Sequence, residues 1–245
     1  MYDEFSPSPL LRSPHLQTLL GSRGRKHWVR QRAAALSLAS REIVLTCSDG
    51  VRLQAWLAEH PTPRPLITLI HGWLGDAHSS YVLSAATELW QEGFSVARLN
   101  LRDHGNTAHL NEGLYNAART REVVDAVAAL SQRFGQAGAG LAGFSLGGNF
   151  ALRVARELEL PTVAICPALD PGRTMRAIDH GWLGYRLFFL TKWRKALKAK
   201  QRAHPHRYDF SRAFELSSVS ALTDLFVREH TDYAHTEEYL STYTL

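Results

Sequence analysis

The run Gly143-Phe144-Ser145-Leu146-Gly147 constrains this chain more than any other feature. It puts a glycine two residues before and two residues after a serine. Alone the pattern is weak: with glycine and serine each near 7% of residues, about 0.1 chance matches are expected in a chain this long. Context makes it strong. The run follows a short predicted strand of small residues, AGLAGF (139–144), and opens a predicted helix, GGNFALRVARELE. A serine at that junction sits on a sharp, strained turn, and small neighbours let the chain cross itself there. Its hydroxyl is then exposed at the carboxyl end of a sheet, above a helix N-terminus that favours developing negative charge. Ser145 is the candidate nucleophile.

Such a turn needs a parallel sheet beneath it, and the flanking sequence supplies one. REIVLTC and VRLQAWLA read as strands joined at Asp49-Gly50, and the segment HPTPRP is a loop. LITLI (66–70) is a continuous apolar run, as expected for a strand buried on both faces. A helix follows over 79–92, ended by Gly93, and then the strand FSVARLNL (94–101). Val123, Val127, Leu130 and Phe134 give helical spacing over 116–134, closed by Gly135, and TVAIC (162–166) is a further strand. Strand and helix in alternation imply an α/β fold, a mostly parallel sheet flanked by helices with right-handed crossovers.

Two stretches fall outside that alternation. Residues 1–40 read as an N-terminal arm without clear periodicity, with an extended start, then a short helix capped by Ser13 with Pro14 at its first position. Its GSRGRKHWVRQR segment is basic and expected to be exposed. Residues 41–170 form the core. After Asp170-Pro171 the alternation stops, and residues 171–245 read as a helical cap carrying Trp182, Tyr185, Phe188, Phe189 and Trp193. Within it TKWRKALKAKQR is a basic amphipathic helix. A solvated face beside an apolar cap face is preferred to contact with a membrane surface or an acidic partner.

Composition bounds the rest. The 245 residues are 45% hydrophobic and 21% charged, enough for one sizeable core. The net charge of +5 and pI near 9.4 are a mild excess, read as a solvated surface rather than a nucleic-acid footprint. Cys47 and Cys166 make no disulfide framework and are expected to be small buried hydrophobes in a reducing compartment. MYDEFSPSPLL lacks a basic segment followed by a long apolar one, and no run approaches the ~18 apolar residues of a membrane span. A cytoplasmic location is the expectation.

Acyl transfer at Ser145 requires donors for the oxyanion of a tetrahedral intermediate. The strand LITLI runs into His71-Gly72-Trp73-Leu74-Gly75, so the backbone N–H groups of Trp73 and Leu146 are the candidate oxyanion hole.

LIHGWLGD, GFSLGGN and LNLRDHGNT together resemble the α/β-hydrolases, and SPHLQTL and TDLFVREHTDYAHTEEYL resemble their YheT-like branch of predicted serine esterases. The resemblance runs roughly from Pro14 to Leu240. It implies an α/β-hydrolase fold with a helical cap. It also implies hydrolysis of a small-molecule carboxylic ester through an acyl-Ser145 intermediate, an apolar acyl group under the cap aromatics, and no metal or cofactor. In that fold the order is serine, acid, histidine. His71, which precedes Ser145, is therefore expected to brace its loop. Asp103, His104, His109 and Asn111 are expected to be structural or to line the site. His180, His204, His206, His230 and His235 follow no predicted strand and are expected to be cap or surface residues. Asp170, after TVAIC, is the one candidate acid, in competition with a simpler role opening the next turn beside Pro171.

By the resemblance about two strands and the remaining triad residues are absent before Leu245. The expectation is a truncated product or part of a longer protein, with TVAIC as an open sheet edge, low solubility and negligible esterase activity. A non-catalytic binding module of the same fold, and an acyltransferase, are the alternative readings.

Overall fold

The computed structural model describes residues 7–23, 26–62 and 64–245. Six strands form one sheet: β1 (Ser40–Thr46), β2 (Arg52–Ala58), β3 (Leu66–Ile70), β4 (Ser95–Leu99), β5 (Ala139–Phe144) and β6 (Thr162–Ile165). Their order is β1-β2-β4-β3-β5-β6. β1 and β2 form an antiparallel hairpin that joins β4 antiparallel, and β4, β3, β5 and β6 are parallel. The alternating β2 buries Leu53, Ala55 and Leu57, whereas β4 is buried along its whole length. That contrast separates an outer strand from one covered on both faces. The crossover helices are α4 (Ser80–Gln91), α5 (Arg121–Phe134) and α6 (Leu146–Leu158), and they close a core around Leu66, Ile70, Leu99, Val127, Leu141 and Phe150. This is the mostly parallel sheet flanked by helices that the alternation implied, in the α/β-hydrolase arrangement that the resemblance implied.

The N-terminal arm is more regular than its sequence promised. It forms α1 (Pro14–Arg23), α2 (Lys26–Arg32) and α3 (Ala34–Ala39). Ser13 Oγ caps α1 by accepting from Leu16 N at 3.4 Å. The basic α2 is exposed except for Val29, which packs with Ala33 and Leu83, and Leu36 of α3 enters the cluster around Leu69 and Val96. Isolated short helices are marginal in water, so these hold through that packing.

Beyond β6 the chain is helical: α7 (Pro171–His180), α8 (Leu183–Ala203), α9 (Ser211–Glu215), α10 (Val219–His230) and α11 (Thr236–Ser241). A second core of Leu190, Leu197, Tyr208, Phe210, Val219 and Leu222 holds α8 to α10 together. Val227, Tyr239, Leu240 and Tyr243 instead join the main core, so the last helices belong as much to the sheet as to the cap.

Three expectations need correction. The helix anticipated over 116–134 begins only at Arg121. Asn116 Oδ1 takes Ala118 N, Tyr239 Oη takes Ala117 N, and Arg153 binds the Ala117 carbonyl, so tertiary partners claim the backbone before the helix can start. Cys166 is exposed rather than buried, and its φ of 46° ends β6. The basic stretch of α8 is not solvated throughout, because Lys200 is fully buried. β6 lies at the sheet edge, with Val163 60% and Ile165 39% exposed. No helix among the described residues is long and apolar enough to cross a membrane.

Candidate active site

Ser145 stands between β5 and α6 with φ 53° and ψ −116°. L-residues rarely adopt that backbone, and it persists only where the surroundings over-determine it. They do so here. Ser145 N donates to Ile165 O at 2.9 Å, and the Ser145 carbonyl accepts from Asn149 N and Ala168 N. The two glycines are sterically required. A Cβ on Gly143 would lie 2.1 Å from the Gly147 carbonyl oxygen, and one on Gly147 would lie 2.3 Å from that of His71. The serine side chain is exposed and makes no hydrogen bond among the described residues.

Ser145 opens into a cavity of about 530 Å³, bounded by the loop after β3, the loop after β4 and the inner face of α8. The walls are mainly apolar: Trp73, Phe188, Phe189 and Trp193 on one side, and Tyr239 and Leu240 on another.

The loop after β3 is fixed from both sides. Tyr81 Oη accepts from Gly72 N at 2.9 Å. His104 Nε2 accepts from Leu74 N at 3.2 Å, while its Nδ1–H donates to Arg102 O. His71 is fully buried, donates from Nδ1 to Gly72 O at 2.7 Å and accepts at Nε2 from Leu101 N at 3.1 Å. From α8, the Trp73 ring stacks on Phe189 at 5.4 Å and meets the edge of Trp193 at 5.0 Å, and Lys192 donates to Leu74 O at 3.1 Å. Within this clamp Trp73 N–H and Leu146 N–H engage no acceptor among the described residues. Leu146 is the first residue of α6, where no intrahelical partner exists. Both residues line the same cavity as Ser145.

Both neighbouring histidines are held neutral. Burial, reinforced by His104 only 4.9 Å away between ring centroids, pushes His71 down to about 3. Burial also lowers His104. His104 is the one histidine lining the cavity among the described residues, and both of its nitrogens are committed. His109 is exposed, and Asn111 brackets the backbone of Arg52. His180, His206 and His235 are exposed, His204 bonds Ala108 O, and His230 packs on Tyr208 and Phe210. The structure places Asp170 as the N-cap of α7, where Oδ1 accepts from Arg173 N at 2.7 Å ahead of Pro171. It does not line the cavity.

Sequence reasoning missed four contributors. Tyr81, Lys192 and Cys166 line the cavity, and none carries a local sequence signal. The fourth is Lys200, whose Nζ meets Asp103 Oδ1 at 2.8 Å and the carbonyls of Asn111 and Gly113. Desolvation lowers its pKa and Asp103 opposes that. Asp103, with φ 60°, turns its other oxygen to Tyr115 N. The pair ties α8 to the loop that carries His104.

A family model described as "Alpha/beta hydrolase family" matches residues 69–243. No curated protein matches the chain. Solved structures similar to it include the Pyrococcus furiosus esterase Pf2001 (20% identity, TM-score 0.49, 75% of this chain and 65% of that one). Ferulic acid-bound Est1E from Butyrivibrio proteoclasticus matches at 20% identity and TM-score 0.48, over 58% of each chain. XC6422 from Xanthomonas campestris, an α/β serine hydrolase without a lid, matches at 25% and 0.42, over 51% of this chain and 59% of that one. The chain thus spans less than two thirds of each of these three.

Proposed function

Since the chain belongs to the alpha/beta hydrolase family, we propose that it is a carboxylester hydrolase of the YheT-like branch, working through an acyl-Ser145 intermediate. The observation that carries the reading is the pairing of a strained, exposed Ser145 with two unengaged N–H donors at the mouth of an apolar cavity. The ester carbonyl enters with its oxygen toward Trp73 N and Leu146 N. Ser145 Oγ attacks the carbonyl carbon, and the developing oxyanion is held by dipoles already in place, each worth about 10²–10³ in rate. The acyl group lies against Trp73, Phe189 and Trp193. The C–O bond to the alkoxy group breaks, and that oxygen takes the serine's proton to leave as the alcohol. Water then attacks the acyl-serine, the acid is released, and a proton from the water returns to Oγ.

The described residues serve the oxyanion more fully than they serve the nucleophile. A general base contributes about 10²–10⁴, and the committed nitrogens of His104 cannot act as one in this arrangement. Oxyanion stabilisation and binding without an intact triad leave a residual of about 10³–10⁴ over water. A fluorophosphonate probe tests this directly. The expected result is slow but selective labelling, mapped by peptide mass to Ser145 and lost in Ser145→Ala. Labelling no faster than at surface serines, or labelling that persists in the variant, would replace the enzyme by a non-catalytic binding module of the same fold.

A further inference from the structure

α8 presents two faces. Phe189, Leu190, Trp193, Leu197 and Lys200 point into the molecule. The outward face is ordered along the helix axis: Leu183, Leu187 and Phe188 are 52%, 54% and 46% exposed, and then come exposed Lys195, Lys198 and Arg202. At 1.5 Å rise per residue this stripe is about 28 Å long. The helix contains no Asp or Glu. None of those three cations has a carboxylate in ion-pair reach among the described residues. α1 reaches the apolar end of α8, where His15 Nδ1 meets Tyr185 Oη at 2.9 Å.

We infer that this outward face of α8 docks on an anionic lipid surface. Three observations favour that occupant. An apolar end followed by cations without a carboxylate partner suits a helix tilted into a bilayer interface, with the apolar end at the acyl boundary and the cations at the headgroups. The protein as a whole carries +5, so its charge complements an anionic leaflet. The patch is also continuous with the cavity, because Phe188 belongs to both and Lys192, one turn further on, lines the cavity. An apolar molecule leaving the lipid therefore meets the cavity wall without crossing water.

The face does not depend on the chemistry at Ser145, so binding can be read on Ser145→Ala. Cosedimentation with vesicles of phosphatidylcholine, alone or with about a third phosphatidylserine, is the test. Partitioning is expected to be about tenfold or more stronger on the anionic vesicles and to weaken with added salt. Leu183→Asp/Leu187→Asp should lower it about tenfold on both. Lys195→Gln/Lys198→Gln should remove most of the preference for phosphatidylserine. Both pairs are surface positions, and circular dichroism checks that each variant is folded. No pelleting with either vesicle, or pelleting indifferent to both pairs, overturns the inference. So does a concentration-dependent dimer in sedimentation velocity that Leu183→Asp/Leu187→Asp abolishes, which would give the face to a second copy.

Discussion

Acid should unfasten the loop after β3 through His71, by an amount that follows from its surroundings. The ring is fully buried, with Nδ1–H on Gly72 O and Nε2 receiving Leu101 N–H. It is therefore the neutral Nδ1–H tautomer. Protonation would set a second N–H against the N–H of Leu101 and place a cation 4.9 Å from the His104 ring. Its pKa falls from 6.5 to about 3. A histidine with a depressed folded value stays neutral in the native state while the unfolded chain takes up a proton. The stability from this group is thus fully present above about pH 6.5 and lost as pH falls toward 3. At about 1.36 kcal/mol per pH unit, roughly 2 kcal/mol goes between neutrality and about pH 5. Urea unfolding of the protein and of His71→Gln at both pH values measures it. The variant should be less stable at neutrality, yet its stability should fall about 2 kcal/mol less on acidification. Parallel pH dependences would refute the tautomer and the neutral, buried state inferred from it. His104 is present in both proteins, so its own titration largely cancels.

Two further perturbations test the frame of the site. Lys200→Met leaves Asp103 without its cation and several carbonyls without a donor, and should cost about 3–5 kcal/mol in chemical denaturation. Adding Asp103→Asn should recover about 1–3 kcal/mol, because the stranded charge is then gone. Gly147→Ala drives a methyl to 2.3 Å from one backbone oxygen and 2.4 Å from another, so loss of Ser145 labelling with about 3 kcal/mol or more of destabilisation is expected. Gly50→Ala has open space around it and a φ of 79°, so it should cost only about 1–2 kcal/mol and leave labelling intact.

The sheet was legible because its signals are local. Apolar runs such as Leu66–Ile70, the turn at Asp49-Gly50 and the glycines around Ser145 each act within a few residues. What stayed hidden depends on partners far along the chain. Lys200 reads as one more cation in a basic run until Asp103, 97 residues away, arrives beside it. Residues 116–120 have helical spacing, but Arg153 and Tyr239 hold their backbone in turns. The arm has no strong periodicity of its own, and α2 and α3 each bury a residue on the β3–α4 side of the sheet. Cys166 has a buried residue's composition but lies at the end of an edge strand. At the cavity, the place of Ser145 between β5 and α6 and of Trp73 in the loop after β3 was readable from spacing. The devices that hold Trp73 in place were not, since Tyr81, Lys192 and the aromatic pair of α8 reach it only through the fold.

Those devices share a direction. Gly72 N–H, Leu74 N–H and Leu74 C=O are each taken by a side chain from a different element. The Trp73 ring is held by two more, yet the N–H of Trp73 between them is left free. Donors left unengaged at such a point carry a desolvation penalty unless a ligand or water completes them. A loop with merely structural duties gains nothing from so many fasteners around one open donor. Electrostatic catalysis does gain, because a dipole already oriented toward the oxyanion needs no reorganisation during reaction. The same logic gives α8 a double part. Phe189, Lys192 and Trp193 hold the loop after β3 on one side, while Leu183, Leu187 and the following cations form the outward face on the other. A load on the outward face is therefore carried by the helix that fixes Trp73. The face inferred to dock on lipid and the contacts that hold Trp73 therefore belong to a single helix.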